Sequence, residues 1–233
     1  KPAFPIVSKQ LAEYFPPIRP WLTHCCINSI GKTALKEIKG VEATIIYDTI
    51  DFDVPLAETN QSRELHHSCS PAGDDLIVLQ ATRIVRRKNI EIAVDLVKTL
   101  ASLARGGGAV TLYDGRIFDP AKNQILLVLV GYAEKRDEKY RADLFDYAKS
   151  QGVTVCYLGD LINSPTGEKR YSLTDSYPMA DLVTYPSEYE GFGNQFLEAV
   201  WAKKLVAVFE YPVFKTDIAP KGFGFVSLGE IIA

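Results

Sequence analysis

From residue 76 onward, short apolar runs rich in β-branched residues recur between segments with helical spacing, and no other feature constrains the fold as much. LIVLQAT (76–82), ILLVLVG (125–131), VTVCYLG (153–159), ADLVTYP (180–186) and LVAVFE (205–210) read as strands. IEIAVDLVKTLASLA (90–104), EKRDEKYRADLFDYAKSQG (134–152) and FLEAVWAKK (196–204) read as helices, with a short one near 172–178. Strands that are apolar through their middles are buried on both faces, which requires a parallel sheet covered by helices on each side. Right-handed crossovers make such a sheet doubly wound, so a Rossmann-like α/β domain is expected. The stretch GGGAVTLYDGRIFDPAKN (106–123) breaks the rhythm, and its Asp114–Gly115 pair predicts a β-hairpin insertion.

The amino-terminal part is shorter and differently built. Residues 1–20 carry five prolines and read as irregular backbone with a short helix around 9–14. HCCINS (24–29) predicts a strand, SIGKTALKEIKG (29–40) a helix closed by Gly40, and VEATIIYD (41–48) a second strand. The polar segment 56–74, with Pro71 and Gly73, reads as a linker between a unit at 1–55 and a domain at 75–233. The chain opens on Lys1 and its one methionine is Met179, so an excerpt or a processed chain is expected.

Composition excludes several classes of partner. Hydrophobic residues at 47% and charged residues at 24% match a globular protein. A net charge of −3 with no basic run argues against nucleic acid, whose backbone needs a concentrated positive face. The apolar run ILLVLV (125–130) is far too short to span a bilayer, peripheral membrane association is not visible, and no signal-peptide pattern opens the chain. Cys25, Cys26, Cys69 and Cys156 show no CxxC spacing, so reduced thiols in the cytoplasm are expected. His24, His66 and His67 have no ligand spacing with them, and no metal is expected.

Chemistry belongs beyond the carboxyl ends of the strands. ATRIVRRKN (81–89) offers Arg83 and Lys88 between a strand and a helix, where two cations suit a diphosphate. YLGDLINS (157–164) is a glycine turn of weaker character that could face a planar base. PSEYEGFGNQFLEAV (186–200) is the most specific stretch. Gly191 and Gly193 permit a sharp turn and close approach of a ligand to backbone N–H groups at a helix N-terminus. Glu198, about a turn into that helix, can accept two hydrogen bonds from a vicinal diol.

Glu190-Gly191-Phe192-Gly193 followed by Glu198-Ala199, with seven residues between the acids, resembles the EX7E signature of retaining GT-B glycosyltransferases of family 4. ATRIVRRKN is similar to that family's Arg-x4-Lys element, and YPMADLVTYPSEYEGFG (177–193) to the run that precedes its motif. The resemblance covers residue 75 to the end, with a weaker match at 24–53. It implies that Glu198 binds the ribose and that Glu190, with the amides of Phe192 and Gly193, holds the donor sugar. It further implies that Arg83 and Lys88 neutralise the leaving diphosphate, assisted by the helix opening at Asn194. A nucleotide-diphosphate sugar and an acceptor hydroxyl are the implied partners, with no cofactor beyond the donor. Oligomeric state is not readable.

Asp51-Phe52-Asp53 spells a DxD, the metal motif of the other main glycosyltransferase fold, but its context resembles a strand-to-linker segment, and aspartates there read as solvated turn residues. His24 lies downstream of the family's acceptor-side histidine and reads as structural. Most of an acceptor domain and a crossing C-terminal helix are expected to be missing. EYPVFKTDIAPKGF (210–223) stands where the family has a glycine-rich segment, which leaves the donor open. YPVFKTDI and LYDGRIFD also resemble segments of bacterial hexosyltransferases that build compatible solutes. Two alternatives stay beside hexosyl transfer: a GT-B nucleotide-sugar 2-epimerase, and a non-catalytic nucleotide-binding fragment.

Overall fold

The computed structural model describes Lys9, residues 13–162 and residues 171–230. Part of the helix expected around 9–14, and the end of the turn expected at 157–164, lie outside the described residues. The chain divides into two compact units, Lys1–Tyr47 and Asp48–Ala233.

In the first unit, β1 (His24–Cys26) and β2 (Ala43–Ile45) pair in parallel, connected by α1 (Ser29–Lys39). Asn28 caps α1 by accepting from Gly31 N, and Gly40 closes it in the left-handed conformation at φ 64°, as the sequence predicts. His24 Nε2 lies 3.0 Å from Pro17 O, a local backbone tie.

The second unit begins with a helix inside the segment read as linker: α2 (Asn60–Cys69). Its sequence, NQSRELHHSC, has little apolar character. The helix forms because Thr59 and Ser62 make a reciprocal capping box and because Leu65 is fully buried in the core. Cys69, its last residue, is disulfide-bonded to Cys156. This corrects the expectation of four reduced thiols: spacing along the chain carries no signal for a pair 87 residues apart. Cys25 and Cys26 are free.

Around the main sheet the chain runs through β3 (Leu76–Gln80), α3 (Ile90–Arg105), a separate hairpin of β4 (Val110–Thr111) and β5 (Ile117–Phe118), β6 (Ile125–Leu129), α4 (Glu138–Ser150) and β7 (Val155–Tyr157). It continues through α5 (Gly159–Ile162), β8 (Leu182–Tyr185), α6 (Asn194–Trp201), β9 (Leu205–Glu210) and β10 (Val226–Glu230). The order is β10-β9-β8-β3-β6-β7, with every pairing parallel. The expected doubly wound α/β sheet is present, extended by the edge strand β10, which the sequence reading did not include.

Alternation along each strand divides the core. Ile77, Leu79, Leu126 and Val128 face a layer containing Leu65, Tyr177, Phe196 and Phe214. Val78, Leu127 and Leu129 face the other layer, with Ile90, Val94 and Val97 of α3 and Leu144 of α4. Burying each such side chain contributes roughly 1.5–3 kcal/mol. The insertion is an antiparallel hairpin, with Gly115 at φ 87° in its turn. Its Arg116 pairs with Asp181, whose other carboxylate oxygen accepts from Ile77 N at 2.8 Å. The hairpin is therefore anchored at the amino ends of β3 and β8, away from the strand ends where ligands bind.

Candidate active site

The site grows from the loop after β3. Gly131, just beyond β6, makes room for it: a Cβ there would collide with Thr82 O and lie 2.8 Å from Arg83 N. Ile84 N donates to Tyr132 O at 2.9 Å, and a 3₁₀ turn then covers Arg86–Lys88. Asn89 closes this turn at φ 50°, a conformation that asparagine tolerates better than most residues, and α3 follows directly.

That turn sends Arg86 one way and brings Arg87 and Lys88 together on one carboxylate. Arg86 lies over the Tyr140 ring, 5.1 Å from its centroid. Arg87 Nη1 donates to Tyr189 O at 3.0 Å and to Glu190 Oε2 at 3.1 Å. Lys88 Nζ donates to Glu190 Oε1 and sits 5.5 Å from the Tyr185 ring centroid. Arg83 turns away and pairs with Glu134 at 2.7 Å. Of the cations expected at the site, Lys88 meets the motif acid and Arg83 does not. Arg87, absent from the sequence reading, takes the second place. Its signal could only have been its adjacency to Lys88, because spacing alone does not separate Arg86 from Arg87.

Burial drives the Lys88 ammonium down from its ordinary value, against the stabilising Glu190 charge. The Glu190 carboxyl lies below its usual range: burial would raise it, but the Lys88 charge and hydrogen bond, with Arg87, outweigh that. Glu188 N donates to Arg87 O at 3.1 Å, so backbone as well as side chains joins the two loops.

The glycine turn is held from below. Gly193, the N-cap of α6, has φ 163°, an extended value open to any residue, so its small size is needed for space rather than for conformation. A Cβ there would approach Tyr211 Oη to 2.5 Å and Ile218 Cδ1 to 2.9 Å. Tyr211 in turn donates to Phe192 O. The segment standing where the family has glycines thus forms a π-helical turn (Phe214–Ile218) under the motif, with Phe214 edge-on to Phe196 at 5.1 Å. Behind it runs a buried chain: Gln195 Nε2 donates to Thr184 O, Thr184 Oγ1 to Gln80 Oε1, and Gln80 Nε2 to Thr82 Oγ1. This chain joins the start of α6 to the end of β3 and the first residues of the cationic loop.

Asn194, the first residue of α6, is exposed, and Glu198 lies one turn further in, half-buried. Glu198 Oε2 accepts from Tyr177 Oη at 2.5 Å, and burial raises its carboxyl above the usual range despite that bond. At the DxD, Asp51 Oδ1 accepts from Asp53 N at 3.1 Å in an exposed turn. No group of three His, Cys, Asp or Glu residues that could hold a metal ion occurs among the described residues. No helix among them is long and apolar enough to cross a membrane.

A doubly wound parallel sheet with a buried Lys88–Glu190 pair at its strand exits defines a Rossmann-like α/β domain of the GT-B type. The chain belongs to the glycosyl transferases group 1 family, whose model matches residues 62–227. It is 36% identical over 220 residues to mannosylglucosylglycerate synthase of Thermotoga maritima, covering 94% of this chain and 49% of that protein. It is 40% identical over 226 residues to the protein of the same name from Petrotoga mobilis, covering 96% of this chain and 51% of the other. The chain thus spans about half the length of these relatives. Among solved structures, Anabaena Alr3699/HepE in complex with UDP and glucose superimposes with a TM-score of 0.65 at 19% identity, over 97% of this chain and 53% of that one.

Proposed function

We propose that this chain is the nucleotide-sugar half, with part of the acceptor side, of a retaining glycosyltransferase that moves a hexosyl group from a nucleotide-diphosphate sugar to an acceptor hydroxyl. The carrying observation is the convergence of Arg87 and Lys88 on Glu190 at the strand exits. Residues 1–55 belong to the acceptor side in this reading and 75–233 to the donor domain, with 56–74 connecting them. Lys88 and Arg87 meet the donor diphosphate, with Arg83 close by in the loop. Glu190 and the amides of Phe192 and Gly193 meet the sugar, and Glu198 meets the ribose. Gly191 leaves the approach open, and Asn194 begins the helix whose amides face the phosphates.

In the reaction, the bond from the anomeric carbon to the diphosphate oxygen breaks and the acceptor oxygen bonds to that carbon. The acceptor proton passes to the departing diphosphate on the same face, so configuration is retained. Charge grows on the leaving oxygen, and fixed cations and helix amides stabilise it. Identity of 36–40% to two proteins named mannosylglucosylglycerate synthase supports a product of that type. The reading keeps a cytoplasmic location, with the Cys69–Cys156 bridge half-buried against the core and so partly shielded from reductants.

Calorimetry with UDP-, GDP- and ADP-sugars tests the donor site, and failure of all three to bind overturns it. Product analysis on a longer version carrying the whole acceptor side tests the chemistry. An altered sugar formed from donor alone would identify an epimerase instead.

A further inference from the structure

Tyr177 is fully buried, directly after a 3₁₀ turn at Leu173–Ser176. Its backbone is fixed at both ends: Tyr177 N donates to Thr174 O, and Ala180 N donates to Tyr177 O. Its ring belongs to the core layer that also holds Phe196 and Leu197 of α6. From this fixed position its hydroxyl reaches one atom, Glu198 Oε2, at 2.5 Å. A phenylalanine would fill the same core volume, so packing does not account for the hydroxyl.

A carboxylate that receives a diol needs a set orientation, since both ligand hydroxyls must meet lone pairs in one plane. Glu198 has χ angles that nothing else fixes by a hydrogen bond among the described residues. One strong charge-assisted bond to Oε2 holds the rotamer and leaves Oε1 available. We propose that Tyr177 is a positioning residue for donor recognition: its hydroxyl orients the Glu198 carboxylate toward the ribose diol of the nucleotide. The inference rests on the role assigned to Glu198 above. Burial holds the Tyr177 phenol well above its ordinary value, so it stays a donor at every working pH. The Tyr177 hydrogen bond lowers the Glu198 carboxyl against the raising effect of burial.

The test compares the wild-type chain with Tyr177→Phe, Glu198→Ala and the double variant. The probe is whichever of UDP, GDP and ADP the wild type binds most tightly, set beside its 2′,3′-dideoxy counterpart. Tyr177→Phe is expected to weaken the ribose nucleotide on the order of tenfold while leaving the dideoxy form unchanged. It should also move the acid limb of the affinity profile to higher pH and add nothing in the Glu198→Ala background. If Glu198→Ala weakens binding and Tyr177→Phe does not, this inference is wrong and the site reading stands. If Glu198→Ala leaves binding unchanged, both fall. Should the phenylalanine variant not fold, wild-type protein carrying ¹³Cζ-tyrosine gives the answer. The Tyr177 resonance must shift with the same acid midpoint as the affinity, and an unresponsive resonance overturns the proposal.

Discussion

Lys88 and Glu190 neutralise each other at the mouth of the sheet, their side chains only 9% and 11% exposed, while Arg87 holds the second carboxylate oxygen. The cation expected to meet the diphosphate and the acid expected to meet the sugar are therefore engaged with one another before any donor arrives. In the proposed reading, donor binding exchanges this pair for two sets of ligand contacts.

Glu190→Gln should consequently bind the bare nucleoside diphosphate more tightly, by about three- to tenfold, because a charge competing for both cations is gone. The same variant should lose the extra affinity that the sugar confers. Calorimetry with diphosphate and with diphosphate sugar reads both effects. Weaker binding of the bare diphosphate would show that Glu190 does not compete for the cations.

The Glu198 carboxyl has a folded-state value raised by burial, and the sign of its stability effect follows. Its contribution is fully present below the unfolded carboxylate value and is lost as pH rises through the folded value. Glu198→Gln should thus raise the melting temperature at pH 8, with the gain disappearing at low pH. Glu198→Ala should weaken nucleotide binding by about 1.5–3 kcal/mol, the scale of hydrogen bonds to a charged group. Scanning calorimetry across pH and a binding titration decide the matter. A lower melting temperature for the glutamine variant at pH 8 contradicts the account.

Arg83 and Arg87 should separate in a direct comparison. Arg87→Ala is expected to weaken the diphosphate far more than the bare nucleoside, with the wild-type preference fading as salt is added. Arg83→Ala should do the same to a smaller extent, since Arg83 must first leave Glu134. Equal losses for nucleoside and diphosphate would remove these residues from the phosphate site.

The Cys69–Cys156 bridge predicts two reactive thiols in the non-reduced, denatured chain and four after reduction. Reduction should lower the melting temperature, because a cross-link across a loop of this length can contribute about 4–5 kcal/mol in the chain-entropy view. Four thiols in freshly purified protein would show that the bridge is not formed.

Much of this was legible from the sequence, and the omissions share a cause. Strand positions followed from apolar runs because parallel strands are buried on both faces, and Gly40 and Asp114–Gly115 announced their turns. Lys88, Glu190 and Glu198 were singled out because their spacing resembles a family signature, and the structure pairs Lys88 with Glu190. α2 was missed because a polar decapeptide is held here by a local Thr59–Ser62 capping box and by two distant contacts, Leu65 in the core and Cys69 bonded to Cys156. β10 was missed because VSLGE, an exposed edge strand, has no apolar run. Arg87 and Tyr177 escaped notice since a 3₁₀ turn chooses among adjacent arginines, and the Tyr177–Glu198 bond spans 21 residues.

Gly131 imposes a further condition on this architecture. The missing methyl group is what lets the exits of β3 and β6 touch, so the reach of the cationic loop is gauged from a surface with no clearance. Any other residue at 131 would lift the Thr82–Arg83 backbone and carry Arg87 and Lys88 out of register with Glu190, even if the strands behind stayed paired. Among randomised variants, selection for nucleotide capture should return glycine alone at this position, while selection for folding alone should be more permissive.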